Sequence, residues 1–305
     1  MLEIESLIRK VAGRLLATEK ISIACISTTN PVYLAFSGQS KTPCFVVRPA
    51  NSKSSKVNHE LSLRLHQVNK ELVPEIVGLY EHQGAIYSVQ RGASGTPWFQ
   101  LSRTVDTPVQ WATLRTRAIE ALRQFHEGVA SVPDWNTTAH LGDALRSAYQ
   151  DFLDTNNEPA YPLTAFADSM ADELDRLGVW DGIFQHGDFS LNNLLFAENK
   201  TSVIDLEDFG ISVIPLYDEF TLALSLSTLA PSRVQSTVAM EIAACTQPMK
   251  HRYSLNGKTI QALFLCHLLL RLGAWSSAEK RQPYRQKLLR LLEQYTNNPS
   301  AYISN

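Results

Sequence analysis

Three oxygen-bearing side chains stand in an order suited to chemistry on phosphate. His186-Gly187-Asp188 is followed, five residues after the aspartate, by Asn193, and Asp205 lies twelve residues beyond that asparagine at the end of an apolar run. Moving a phosphoryl group onto a hydroxyl needs a carboxylate that orients the hydroxyl and takes its proton, a role open to Asp188. It also needs hard oxygen ligands for Mg2+, which an asparagine carbonyl and an aspartate carboxylate provide. Either fragment alone reads equally well as a surface turn or an acidic strand end. Their order and separation together mark residues 184–210 as the phosphoryl-transfer segment.

Such groups need a scaffold, and the apolar periodicity outlines one. A first amphipathic helix lies in the opening twenty residues, followed by strands at Ile21–Ser27, Val32–Phe36 and Cys44–Arg48, with a turn at Ser37-Gly38-Gln39-Ser40-Lys41. A helix is predicted over Asn58–Leu72, where Leu61, Leu65, Val68 and Leu72 share a face. Strands Glu75–Tyr80 and Ala85–Gln90 then flank a Gln83-Gly84 hairpin turn. From Trp111 the pattern is mostly helical: Leu114–Val129, Leu141–Leu153, Leu163–Leu177, Leu216–Leu229, Arg233–Cys245, Thr259–Leu272 and Ala278–Thr296. Two short strands interrupt it, Asn193–Phe196 and Ser202–Asp205, joined by a turn at 197–200, so the phosphate-directed residues sit on a hairpin. The change from strands to helices near Gly92–Pro97 marks the expected boundary between residues 1–92 and 93–305.

Composition narrows the class of protein. With 44% apolar and 19% charged residues, the 305-residue chain reads as an ordinary globular protein with enough length for a large core. Lys plus Arg (28) nearly balances Asp plus Glu (30), which argues against a nucleic-acid partner. Cys25, Cys44, Cys245 and Cys266 are widely spaced among apolar residues and read as buried free thiols. The first twenty residues lack the uninterrupted apolar stretch of a signal peptide, and Ile260–Trp275 is interrupted by His267 and Arg271 and is too short for a bilayer. The expectation is a cytoplasmic protein without membrane insertion; the oligomeric state is not readable.

HGDFSLNNLLF resembles the H-G-D-x-x-x-x-N loop of the aminoglycoside phosphotransferase and choline kinase superfamily, and VIDLEDFG resembles that family's segment bearing the metal-binding aspartate. Pro215-Leu216-Tyr217-Asp218 resembles its P-x-x-D element. The match is strong over residues 184–220 and elsewhere follows only the order of elements. The resemblance implies an α+β, two-lobed protein-kinase-like fold, with a small, mainly antiparallel β N-terminal lobe that binds nucleotide and a larger helical C-terminal lobe for catalysis and substrate. It implies Asp188 as catalytic base, Asn193 and Asp205 as Mg2+ ligands, His186 as structural support of the loop, and Asp218 as a pin beneath the loop backbone. The literal Asp208-Phe209-Gly210 competes with Asp205, but related enzymes place the metal-binding aspartate about thirteen residues after the asparagine, which favours Asp205. Glu207 and Asp208 stay open as contacts to a second metal or to substrate.

On the nucleotide side, the resemblance implies a strand-three cation on the α/β-phosphates of ATP or GTP, itself held by a helix glutamate. Arg48 ends that strand, and Glu60 is the first acid on the following helix. An arginine offers phosphate a planar fork where lysine offers a point charge. The phosphate-covering loop should be Ser27-Thr28-Thr29-Asn30-Pro31, which has no glycine. Gln90 and Arg91 fall where a hinge would meet the nucleotide base through main-chain groups.

The implied activity is transfer of a γ-phosphoryl group to a small-molecule hydroxyl; the competing reading is a pseudokinase or nucleotide-binding regulator without turnover. A polycationic aminoglycoside would need an acidic pocket, but Glu241, Glu279 and Glu293 are scattered, while Lys280, Arg281, Arg285, Lys287 and Arg290 make a basic face. Choline would need an aromatic cage, for which only Trp275 and Tyr284 offer themselves. The wording Pro215–Phe220 also resembles kinase-like proteins of bacterial surface-polysaccharide loci, which favours a sugar or glycan-precursor hydroxyl as acceptor.

Overall fold

The computed structural model describes residues 2–15, 20–26, 31–156, 161–273 and 282–303. The chain separates into two compact units. The first comprises Met1–Thr104, Arg123–Ser131 and Asn192–Glu207; the second comprises Val105–Leu122, Val132–Leu191 and Asp208–Asn305.

In the first unit, α1 (Leu2–Leu15) buries Ile4, Leu7, Ile8, Val11 and Ala12, an i, i+3, i+4, i+7, i+8 stripe, against Ala35, Phe45, Val47 and Val89 of a sheet. Each large apolar side chain so buried contributes roughly 1.5–3 kcal/mol. The sheet contains β1 (Ile21–Cys25), β2 (Tyr33–Ser37), β3 (Phe45–Pro49), β4 (Ile76–His82) and β5 (Ala85–Arg91) in the order β1-β2-β3-β5-β4, with every neighbouring pair antiparallel. Gln83 (φ 52°) and Gly84 (φ 77°) make the tight turn between β4 and β5, as the sequence anticipates. Cys25 is exposed rather than buried, because β1 is an edge strand. Cys44 is half-buried, Cys245 and Cys266 are buried, and none is bridged.

Between β3 and β4 runs α2 (Lys53–Val68). It starts five residues earlier than predicted because the Ser52 side chain accepts the Ser55 amide, capping the helix. It stops at Asn69, so Leu72 lies beyond its end. A three-stranded sheet completes the unit: β6 (Thr96–Pro97) pairs with β9 (Leu194–Phe196), which pairs with β10 (Thr201–Val203). α3 (Trp98–Leu101) follows β6. The hairpin predicted around residues 197–200 is thus present, but Leu191–Asn193 and Leu206–Asp208 are 3-10 turns at its ends.

The long α4 (Pro108–Ala130) is divided between the units. The second unit is helical: α5 (Leu141–Thr155), α6 (Leu163–Asp175), α7 (Tyr217–Leu229), α8 (Val238–Tyr253), α9 (Gly257–Leu272) and α10 (Gln282–Asn297). α8 begins five residues after its predicted start, where Thr237 accepts the Met240 amide, and continues through Pro248. α9 is the central element, with fourteen of its sixteen residues buried and α5, α6, α7 and α10 packed against it. One strand pair escapes the sequence reading: β7 (Asn136–His140) lies antiparallel to β8 (Val179–Ile183). Asn-Thr-Thr-Ala-His has no apolar alternation to announce a strand. Among the described residues, no helix is long and apolar enough to cross a membrane.

Candidate active site

Within the first unit, a cavity of about 570 Å3 opens along β3, α2, β5 and the end of β10. Arg48 reaches it from β3, and its Nη1 donates to Glu207 Oε1 (2.7 Å) and to Asp205 Oδ1 (3.4 Å). The register of the β9–β10 hairpin explains why the carboxylates arrive there. Val203 pairs with Leu194 and the Ile204 amide donates to the Asn193 carbonyl, so Asn193 and Asp205 flank the open end of one hairpin. Asp205 then turns the chain in a left-handed conformation (φ 64°), which aspartate tolerates better than most residues.

The partner predicted for Arg48 is different. Glu60 is exposed and forms no ion pair with Arg48; the acids on Arg48 are Glu207 and Asp205. The helical period explains the correction. Ser55, Asn58, His59 and Ser62 form the face of α2 that lines the cavity, and Glu60 lies about 100° around the helix from His59. His59 fills the inward position and shares a 2.8 Å hydrogen bond with Ser88 on β5. Burial, partly opposed by Glu60, lowers its pKa and favours the neutral ring. His59 was legible only to a reading that phased the whole helix.

Gln90 lines the same cavity, whereas Arg91 turns toward Phe45, 5.1 Å from the ring centroid, and toward Glu75 (3.5 Å). Of the loop expected to cover phosphate, Ser27–Asn30 lie outside the described residues, and Pro31 lines the cavity.

The second unit holds the His186-Gly187-Asp188 loop. Asp218, fully buried in the first turn of α7, accepts the His186 amide at Oδ2 (2.6 Å) and the Gly187 amide at Oδ1 (3.0 Å). The Gln185 amide donates to the Ser212 carbonyl, and the Gly210 amide donates to the Gln185 carbonyl. His186 is also fully buried, and its Nδ1 accepts the Asp188 amide at 3.3 Å. Gly187 has φ 85°, and a Cβ there would run into the Asp208 carbonyl oxygen, so only glycine fits between the histidine and the aspartate. Phe209 packs against Trp135 and Phe184, and Gly210 turns with φ 80°; Phe209-Gly210 is a packed turn.

Arg271 is the residue that sequence reasoning passed over. From the last turn of α9, fully buried, its Nη2 donates to Asp188 Oδ1 (3.2 Å) and Thr221 Oγ1 (2.9 Å), with the guanidinium 5.2 Å from the Tyr217 ring centroid. Burial opposes its charge, but Tyr217, Asp188, Tyr284 and Asp218 more than offset this and raise its pKa. The Tyr217 phenol is pushed up to about 12, by burial first. The available signal was an arginine in the last turn of a mostly apolar helix.

The residues expected to choose an acceptor are dispersed. Arg285 is buried and donates to the Leu272 carbonyl at the end of α9, so it leaves the predicted basic face; Lys287 and Arg290 are exposed. Glu241 is buried, accepting from Ser236 (2.6 Å) and lying 3.6 Å from Arg115. Trp275, Glu279, Lys280 and Arg281 lie outside the described residues.

Comparison with known proteins adds family context. Residues 27–242 match the model of a phosphotransferase enzyme family. No curated protein sequence matches the chain. Among solved structures, a choline/ethanolamine kinase family protein from Mesorhizobium loti is similar with a TM-score of 0.57 at 16% identity, covering 98% of this chain and 96% of that one. A thermostable mutant of an aminoglycoside phosphotransferase, in ternary complex with ADP and hygromycin B, matches with a TM-score of 0.58 at 12% identity, covering 97% and 98%. A glucosamine kinase in complex with glucosamine, ADP and inorganic phosphate matches with a TM-score of 0.57 at 17% identity, covering 92% and 82%. The α+β fold of an antiparallel sheet followed by a helical part is shared with these structures.

Proposed function

This chain belongs to the phosphotransferase enzyme family, and from that premise we propose that it transfers the γ-phosphoryl group of ATP to a hydroxyl of a small molecule. The observation that carries the reading is the Arg48 guanidinium held against Asp205 and Glu207 beside a 570 Å3 cavity. A cation for phosphate oxygens and carboxylates for a metal are the parts phosphoryl transfer needs, because its catalysis is mostly positioning and charge stabilisation. Nucleotide binding is assigned to residues 1–92, with Arg48 and Gln90 on the cavity, and catalysis with acceptor binding to 93–305. GTP is the alternative donor.

The donor set fits Mg2+. Asn193 and Asp205 flank one hairpin end and carry hard oxygens, and Glu207 shares Arg48 with Asp205; Asp205 and Glu207 line the cavity and Asn193 is buried behind it. Among the described residues no three His, Cys, Asp or Glu side chains converge on a metal. Mg2+ in such sites is commonly held by one or two carboxylates and completed by nucleotide phosphates and water. Bound there, the ion would neutralise charge on the transferring phosphate. Asp188 then orients the acceptor hydroxyl and accepts its proton, while Asp218 holds the loop backbone beneath it.

A sugar or glycan-precursor hydroxyl is the proposed acceptor class. Glucosamine, hygromycin B and choline or ethanolamine belong to the similar structures and define the panel to assay. The test is a screen with γ-labelled ATP and Mg2+ across aminoglycosides, choline, sugars and amino alcohols, using wild type and Asp188→Asn. Label transfer abolished by the substitution supports the mechanism. Transfer that survives it at the wild-type rate refutes Asp188 as the base.

A further inference from the structure

We propose that Arg271 is a positioning residue that fixes the Asp188 carboxylate where it can take the proton of the acceptor hydroxyl as that hydroxyl attacks the γ-phosphorus; this rests on the reading of Asp188 as the base. The starting point is cost. A guanidinium with no exposed surface, in a helix that packs mostly Leu, Ile, Ala and Phe into the core, incurs a desolvation penalty of several kcal/mol that its partners must offset. Replacing such a pair whole by well-packed apolar residues is often neutral or stabilising, so a buried ion pair is weak evidence for stability. Stability therefore gives little reason for an arginine at this position, and its contacts supply another.

Those contacts form a jig around one atom. Nη2 bridges Asp188 Oδ1 and Thr221 Oγ1, and the guanidinium plane is backed by Tyr217. Thr221 and Tyr217 lie one turn apart on α7, and the Thr221 hydroxyl donates to the Tyr217 carbonyl. Asp218, on the same helix, grips the His186 and Gly187 amides. The loop is therefore tied to α7 twice, by its backbone through Asp218 and by its catalytic side chain through Arg271. The Asp188 side chain nonetheless keeps 34% of its surface exposed, so a bound hydroxyl can still reach the carboxylate. Arginine suits the task because the two N–H bonds of Nη2 are fixed in the guanidinium plane, whereas an ammonium turns freely on its stem. The charged and titratable groups facing this pair are Tyr217, Asp218 and Asp208, with Tyr284 from α10 and His267 one turn back on α9.

The test compares Arg271→Met, Arg271→Lys and Asp188→Asn in the full chain. The readouts are phosphoryl transfer from γ-labelled MgATP to water and to D-glucosamine, and a crystal structure of Arg271→Met. Expected are a fall in kcat of about 100-fold in Arg271→Met with the KM for MgATP unchanged within threefold, since misplacing a reacting group by about 1 Å costs on that order. Arg271→Lys should recover about tenfold of the loss, and the Asp188 side chain should leave its original rotamer in the Arg271→Met crystal. An Arg271→Met protein that keeps its kcat within threefold while Asp188→Asn is inactive overturns the positioning role and leaves Asp188 as base. Activity that survives both substitutions overturns the reading of Asp188 itself. An unmoved Asp188 rotamer overturns the positioning role even where neither acceptor is turned over. If Arg271→Met fails to fold, Thr221→Val removes the second anchor of the guanidinium without unpairing its charge. It should lower kcat about fivefold or displace Asp188, and the absence of both effects overturns the proposal.

Discussion

Arg48 and Glu207 form a 2.7 Å ion pair across 159 residues of sequence, with Asp205 as a second, longer contact at 3.4 Å. All three side chains are substantially exposed, so the pair contributes at most about 1 kcal/mol to stability. The role proposed for the pair is in ligand binding, since all three side chains line the cavity. Arg48→Ala should weaken MgATP binding about tenfold, the loss of a charge-assisted hydrogen bond, while Tm shifts by only a few degrees. Glu207→Gln should leave binding within threefold. Calorimetric titration of MgATP distinguishes these, and wild-type affinity in Arg48→Ala would exclude Arg48 from the phosphate site.

Asp205 combines a left-handed backbone with the proposed metal role, and one substitution separates the two. Asparagine tolerates φ 64° but brings no charge to Mg2+. Asp205→Asn should fold with nearly wild-type Tm and lose phosphoryl transfer about 100-fold, as should wild type in excess EDTA. Retained Mg2+-dependent turnover would pass the role to Glu207 or Asp208.

Asp218 accepts two backbone amides with both carboxylate oxygens and has no exposed surface. Asp218→Ala strands two buried N–H groups and should cost about 3 kcal/mol by urea denaturation, from two hydrogen bonds to a charged acceptor. Asp218→Asn, which keeps one acceptor, should cost less. A loss below about 1 kcal/mol in the alanine variant would mean that the loop finds other partners.

His267 predicts a pH effect. Its ring is fully buried against Tyr217, Phe220 and Phe264, and neither nitrogen meets a hydrogen-bond partner among the described residues. Burial first, and then Arg271, holds its pKa well below the usual 6.5. Above that ordinary value the ring is neutral in folded and unfolded chains alike. As pH falls through it, the unfolded chain gains a proton that the folded one refuses, so stability present at neutral pH is lost toward the depressed folded value, at up to about 1.4 kcal/mol per pH unit. His267→Leu should remove that contribution and be nearly neutral at pH 7. Melting curves from pH 7.5 to 5 should therefore nearly coincide at neutral pH and separate as pH falls, with His267→Leu the more stable in acid; parallel curves would refute the effect.

The residues proposed for phosphoryl transfer could be singled out in the sequence because they are local. His186, Asp188 and Asn193 lie within eight residues, and Asp205 follows across one hairpin, so residue type and spacing suffice to propose them. Helical and strand periodicities likewise announced most elements of both units, since burial on one face repeats at fixed intervals. The β7–β8 pair went unseen because its partners lie some forty residues apart and β7 is polar. Tertiary structure decided the partners of the site residues. It paired Arg48 with Glu207 instead of Glu60, because the phase of α2 turns His59 inward and Glu60 outward. It also brought Arg271 to Asp188 across 83 residues, where the sequence shows Arg271 only as one of two interruptions, with His267, in a mostly apolar run. Spacing along the chain can specify which groups one loop or hairpin presents, but which distant charge meets them depends on helix phase and packing.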